Sequence, residues 1–406
     1  MRRVVITGAG AVSALGHVWP TISAALREGR NRVRPIPEWE AIEGLNTRLG
    51  APILDFETPA SYPRKKLRSM GRVSVMAVNA TERALAQANL LEHPALTNGA
   101  TGVSYGSCMG TPEDARALVK VLSDNTTLDL TASSYLRSMT HTATVNIGLF
   151  FGITGRVITT TSACTSGSQG LGYAYEAIKY GRQDIMVAGG AEEFCVTPVA
   201  VFDTMFATST RNQEPELSPR PFDKDRDGLV LGEGACTLIL EDYEHAKARG
   251  ATILGEIVGF GTNSDGAHVT EPKAETMARA MALALEDAQL APEQIGYINA
   301  HGTATAKGDV AESRATAEIL GTHVPISSLK SYVGHTLGAC GALEAWISLE
   351  MMREGWFAPT LNLDQVDPEC APLDYITGQG RDLRCDYVMS NNFAFGGINT
   401  SLIIKR

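Results

Sequence analysis

Short β-branched runs alternate with helical periodicities along the chain, and that alternation predicts an α/β protein. Val157 to Thr161 reads as a short buried strand. Small residues follow at once, from Ser162 to Gly167, and Leu171, Tyr175 and Ile178 then recur at helical spacing. The pattern is strand, abrupt turn, helix, with Cys164 at the turn. A second buried strand, Asp184 to Ala188, follows Gly181 and reads as central; pairing with a twin across a twofold axis is expected there. Arg3 to Thr7 and Gly102 to Tyr105 are strand-like, and Ala235 to Glu241 forms a strand after a charged turn. A helix opening at Tyr62 and continuing through Val75, Ala77 and Ala80 places Lys65, Arg68 and Arg72 on one face.

The second half, from Ala251, echoes the first. Residues 326–345 repeat the plan of residues 158–177, and Ile185–Glu192 resembles Tyr387–Gly397. This weak duplication predicts two similar α/β halves, 1–250 and 251–406, packed face to face with helices sandwiched between sheets. It also predicts equivalent positions for Cys164 and His335.

Composition narrows the function classes. The chain has 406 residues, 44% hydrophobic and 20% charged, which is enough for two cores. The longest apolar runs, near Ile147 to Ile153, are too short to span a bilayer, and MRRVVITGAG passes straight into a strand without a signal-peptide core. Seven scattered cysteines fit reduced thiols. A cytoplasmic protein with no membrane span is expected. A net charge of −10 argues against broad nucleic-acid binding, so an acidic partner needs a local basic patch. Lys65, Arg68 and Arg72 are the candidates.

Two stretches imitate ligand loops. GAGAVSALG has Ser13 where a dinucleotide fingerprint requires glycine, and it reads as a glycine turn. Asp223, Asp225, Asp227 and Gly228 match the start of a calcium loop, but position 12 is Gly234 and Glu233 comes one residue early.

Cys164 has the setting of a nucleophile. A strand-to-helix turn projects its residue clear of the sheet, and a helix N-terminus favours thiolate. A lone buried cysteine is more often a packing residue; three further stretches change that weighing. TTTSACTSGS surrounds Cys164, NAHGTATAKGD surrounds His301, SLKSYVGHTLGACGALEA surrounds His335, and SNNFAFGGIN lies near the C-terminus. Each is a strand end running into a turn rich in Gly, Ser or Thr.

Together these stretches resemble the β-ketoacyl-acyl carrier protein synthases with a Cys-His-His triad, the elongating ketosynthases of the thiolase-like superfamily. The resemblance covers the whole chain and includes PFDKDRDGLVLGEGA. It implies a thiolase-like five-layered α-β-α-β-α architecture from two duplicated halves. It implies an acyltransferase that condenses an acyl group on Cys164 with malonyl-acyl carrier protein, giving 3-oxoacyl-acyl carrier protein and CO2 in fatty-acid elongation. By the same resemblance, the amides of Cys164 and Phe395 form the oxyanion hole, and His301 and His335 donate to the malonyl thioester. Lys330 orients the site and biases His335 toward neutrality; read from the residues alone it is a salt-bridge partner of Glu344, and the two roles are compatible. Thr303 and Thr305 hold the phosphopantetheine arm, and Phe393, Phe395 and Met109 form the gate and acyl pocket. Asn299, Glu344, Ser390 and Asn391 match ligands of a monovalent cation, Na+ or K+; no other cofactor is implied. The partners implied are an acyl carrier protein and a second copy in a homodimer. Asp309 and Glu312 read instead as a capping box for the helix that follows.

The third motif separates subclasses. Priming synthases carry Asn where His335 stands, thiolases add a cysteine that NNFAFGGIN lacks, and chain-length factors lack the nucleophile. Asn392, Ala394 and Ile398 depart from the pattern NSFGFGGTN, and Tyr332, Cys340 and Trp346 are also atypical. These positions leave the acyl substrate open, so a ketosynthase of a specialised polyene or polyketide pathway remains the rival reading. A partner subunit of a ketosynthase heterodimer is the other.

Overall fold

Ten strands carry the architecture of the computed structural model, which covers residues 1–406. β1 (Val4–Ser13), β2 (Thr101–Gly106), β3 (Val157–Thr160), β4 (Ile185–Glu192) and β5 (Gly234–Asp242) pair in the order β3-β2-β4-β5-β1. β6 (Gly255–Ser264), β7 (Tyr297–Asn299), β8 (Pro325–Ser327), β9 (Tyr387–Ala394) and β10 (Ile398–Lys405) pair in the order β8-β7-β9-β10-β6. Both orders read third, second, fourth, fifth, first, with matching parallel and antiparallel pairs. The duplication is therefore topological. The two sheets meet where Val4–Ile6 pairs with Gly255–Ile257. A two-residue strand, Asp374–Tyr375, is added beside β8.

Helices complete five layers. α1 (Arg72–Gln87) and α2 (Thr142–Phe151) cover the outside of the first sheet. α3 (Ser166–Lys179) and α6 (Cys340–Glu354) lie between the sheets, and α4 (Ala274–Ala288) and α5 (Ala306–Leu320) cover the outside of the second. Every residue of α6 from Cys340 to Met352 is buried, as a helix with a sheet on either side requires. No helix is long and apolar enough to cross a membrane.

Most of the GAGAVSALG stretch is strand rather than turn: Gly8 to Ser13 lie in β1, which has a register shift between Ile6 and Gly8, and the chain turns only at Ala14 to Gly16. Its glycines serve close packing: a Cβ on Gly8 would sit 2.2 Å from the Ala84 carbonyl oxygen, and one on Gly10 2.2 Å from that of Ala80. Gly259 and Gly261 of β6 meet Ala284 and Ala280 of α4 in the same way. The glycine pairs let each outer helix lie directly on its first strand.

Three further expectations are corrected. The helix foreseen from Tyr62 is broken: one turn, Arg64–Leu67, is followed by an extended Gly71 before α1 begins at Arg72. β4 has no free edge for a twin, because β2 and β5 flank it; the free edge belongs to β3, whose Val157 is 53% exposed. Cys164 and His335 are not equivalent. Ala163 and Leu337 share positive φ values, +50° and +46°, each opening a short 3-10 turn ahead of α3 or α6. That register matches Cys164 with Gly338 and puts His335 three residues earlier.

Candidate active site

Strand ends from both halves converge here. Cys164 follows β3 on its 3-10 turn, His301 follows β7, and Lys330 to His335 follow β8. Phe395 sits in the β9–β10 hairpin. Non-glycine residues in the left-handed region cost about 1–2 kcal/mol, and Ala163 takes that conformation directly before the nucleophile.

The Sγ of Cys164 and one ring nitrogen each of His301 and His335 all lie within 4.8 Å of one another. The two imidazoles stand edge to face with centroids 5.2 Å apart. All three residues are buried, and they line a cavity of about 470 Å³. The Leu337 backbone N–H donates to His335 Nδ1 at 3.2 Å, which leaves the proton on Nε2. That buried Nε2 has no protein partner. Burial, then the Lys330 charge, drives both histidines well below the usual imidazole range; His335 adds to the effect on His301. They are neutral donors at physiological pH.

The thiol differs from expectation. Burial pushes Cys164 up, and this outweighs the backbone N–H of Phe395, the Lys330 charge and the Cys164 amide, all of which favour thiolate. The helix N-terminus therefore does not by itself make a resting thiolate. The Phe395 and Cys164 backbone N–H groups both reach the sulfur, so they lie beside the carbonyl that an acyl group carried on it would present.

Buried carboxylates position the loops. Glu312 accepts from the His301 and Gly302 N–H groups, both at 2.7 Å, and Asp309 accepts from Thr303 and Ala304 at 3.0 and 3.1 Å. This replaces the capping box expected for Asp309 and Glu312: both side chains reach back to hold the histidine loop rather than capping each other. Burial raises Glu312 to about 8 and Asp309 to about 6, against these amides. Glu192 takes N–H groups from Cys108 at 2.7 Å and Gly338 at 3.1 Å, joining loops of the two halves. Its place at the end of a buried glycine-rich strand was the available signal for this role.

Lys330 Nζ donates to Glu344 Oε1 at 2.5 Å, and the pair is buried, at 1% and 3% exposure. Glu344 Oε2 accepts from Asn392 at 2.8 Å and from Asn299 at 3.5 Å. Burial raises Glu344 while Lys330 opposes it. Asn299 also donates to Ser390 Oγ at 3.2 Å, and the side-chain oxygens of Asn299 and Asn391 are buried without partners. These oxygens suit a hard monovalent cation.

The remaining predicted residues divide. The Thr303 and Thr305 hydroxyls are 2.9 Å apart on the cavity wall. Phe393 lies edge-on to His301, with centroids 6.1 Å apart. Phe395 is 37% exposed and lies edge-on to Phe202. Met109 does not line this cavity; its N–H is bound to Glu192 at 3.2 Å, so the tunnel-wall expectation is not met here. Lys65 and Arg68 are exposed, beside exposed Arg64. Arg72 leaves the basic patch: it grips Glu233 with bonds of 3.0 and 2.9 Å.

Comparison with known proteins gives consistent matches along the chain. Residues 1–246 match the family described as beta-ketoacyl synthase, N-terminal domain, and residues 254–364 match its C-terminal domain. A 3-oxoacyl-[acyl-carrier-protein] synthase 2 from Synechocystis sp. is 38% identical, covering 100% of this chain and 98% of the relative. A 3-oxoacyl-[acyl-carrier-protein] synthase 1 from Escherichia coli is 36% identical, covering 100% and 99%. Among solved structures, a beta-ketoacyl synthase from Burkholderia phymatum superposes with a TM-score of 0.99 at 62% identity over 100% of both chains. A type II polyketide ketosynthase, solved in complex with its acyl-carrier protein, gives 0.87 at 31% identity, covering 100% and 99%.

Proposed function

This chain belongs to the β-ketoacyl synthase family, and from that premise we propose how its site carries out elongation. The enzyme is an acyltransferase, a 3-oxoacyl-[acyl-carrier-protein] synthase acting by decarboxylative condensation in fatty-acid elongation. The observation that carries the reading is the convergence of Cys164, His301 and His335 in one buried cavity.

Two half-reactions follow. In the first, the Cys164 sulfur attacks the acyl thioester. Its proton goes to the departing pantetheine thiol, and the Cys164 and Phe395 amides hold the tetrahedral oxyanion. In the second, malonyl thioester loses CO2 to form an enolate, and the Nε2–H groups of His301 and His335 donate to the enolate oxygen. The enolate carbon then bonds to the acyl carbon, the C–S bond to Cys164 breaks, and the sulfur takes up a proton. Neutral imidazoles suit the step because they supply donors without a cation to desolvate. Thr303 and Thr305 would hold the pantetheine arm, and exposed Phe395 would act as the gate, with Phe393 behind it. A monovalent cation, Na+ or K+, would be held by Asn299, Asn391, Ser390 and Glu344 and would fix the framework behind the triad.

CO2 release and 3-oxoacyl product, measured together from malonyl- and acyl-carrier protein, test the reaction; the absence of both would refute it. The gathered triad favours a catalytic subunit over a silent heterodimer partner.

An acidic carrier protein is the partner, and Arg64, Lys65 and Arg68 are the cations free to steer it. Reversing charge at Lys65 and Arg68 is expected to raise KM for acyl-carrier protein by about tenfold while sparing small acyl-thioester mimics. An equal loss with both substrates would show that the segment is structural.

A homodimer would form along the free β3 edge. Exposed Val157 supports this; the helix Pro112–Ser123, which buries no residue and exposes Val119 and Leu122, is a further uncovered apolar face of the chain. Sedimentation at micromolar concentration is expected to give the mass of two chains; a monomer would count against the pairing. Seven free cysteines support a cytoplasmic location.

A further inference from the structure

The two histidines of the site are oriented by different kinds of donor. His335 Nδ1 takes a backbone N–H, from Leu337. His301 Nδ1 faces a side chain, the Nδ2 of Asn392, at 3.4 Å. The same Nδ2 lies 2.8 Å from Glu344 Oε2, whose other oxygen meets Lys330.

This arrangement fixes which way the amide points. A carboxylate beside a lysine accepts hydrogen bonds, so the amide edge facing Glu344 must be the NH2 group. One of its hydrogens serves Glu344, and the second lies between His301 Nδ1 at 3.4 Å and the weaker acceptor Cys340 Sγ at 3.7 Å. Nδ1 of His301 then accepts, and its proton resides on Nε2, facing the cavity. The Asn392 oxygen is buried with no partner, and a Cβ on Gly341 would lie 2.9 Å from it. A buried orphan oxygen opposes stability, so the asparagine is poorly explained as a packing residue. Serine, found at this position in the family pattern, has one hydroxyl hydrogen and cannot serve both acceptors at once.

We propose that Asn392 is a positioning residue that holds His301 in the Nε2–H tautomer and thereby links the Lys330–Glu344 pair to the malonyl-activating imidazole. The inference rests on the decarboxylating role given to His301 above. Without the amide no donor holds Nδ1 of His301 as the acceptor, and in the Nδ1–H tautomer Nε2 turns a lone pair, not a proton, to the thioester oxygen. Decarboxylation suffers, whereas acyl transfer to Cys164, which relies on the backbone amides, does not.

The test joins a spectroscopic and a kinetic measurement on the full-length protein. Long-range 1H–15N correlation of the ring nitrogens is expected to show His301 as the Nε2–H tautomer in the native protein. In Asn392→Leu, nearly isosteric and without a donor, it should shift toward Nδ1–H. Malonyl-carrier protein decarboxylation should fall about tenfold, and single-turnover acylation of Cys164 should stay within about twofold. Asn392→Ala, with the same expected outcome, replaces it if the leucine variant does not fold. An unchanged tautomer, or a decarboxylation rate within twofold of native, overturns the proposal. If the native protein released no CO2, the functional reading would fall instead, and the tautomer alone would still decide this one.

Discussion

Cys164→Ala is expected to abolish condensation, with a loss of at least about 1,000-fold. No other group can take over. Cys108 and Cys340 are close, but the Cys108 thiol donates to the Ala163 carbonyl at 3.1 Å and the Cys340 thiol to the Cys164 carbonyl at 3.2 Å, behind the turn rather than in the cavity. Burial pushes both thiols well up. Cys164→Gln separates the half-reactions: its amide oxygen can occupy the two-amide site as the acyl oxygen does, so malonyl decarboxylation persists without condensation. Intact-mass detection of the acyl adduct, with CO2 release, checks both variants. Condensation by the alanine variant would remove Cys164 from its role.

Lys330→Met carries the largest expected loss of stability, about 3–5 kcal/mol, because it strands the Glu344 carboxylate in the interior. It also removes the positive charge that helps keep His301 and His335 neutral. Adding Glu344→Gln withdraws the stranded charge while preserving an acceptor for Asn299 and Asn392. The double variant is expected to recover more than half of the lost stability in denaturant titrations but not the activity. Equal stability of the single and double variants would show that the pair is not coupled.

The sequence analysis was most informative where chemistry and local pattern coincide. Cys164, His301 and His335 each sit in a small-residue turn at a strand end, and such turns are visible as composition. The paired halves were visible too, but their alignment was not, since φ at Ala163 and Leu337 is set by tertiary packing rather than residue type. GAGAVSALG misled because glycines chosen for close helix contact look the same in sequence as glycines chosen for a turn. Arg72 looked like its basic neighbours, and only the fold reveals Glu233, 161 residues away in sequence, beneath it. Glu192 was missed, and Asn392 was noticed only as a departure from the family pattern, because what matters about both is what they touch. The thiol of Cys164 was misjudged because burial, which a local motif does not report, outweighs the helix terminus.

The strand Asp374–Tyr375 has a consequence for how copies can associate. A duplicated fold offers two matching outer strands, β3 and β8. If both were bare, β3 of one molecule could pair with β8 of the next, and head-to-tail addition would have no natural end. The two-residue strand covers β8 and breaks the symmetry. It is itself too short to template a long ladder. Pairing of copies through these sheet edges would then be limited to β3 meeting its own copy, an arrangement that would close after a single addition and could not extend into a fibre.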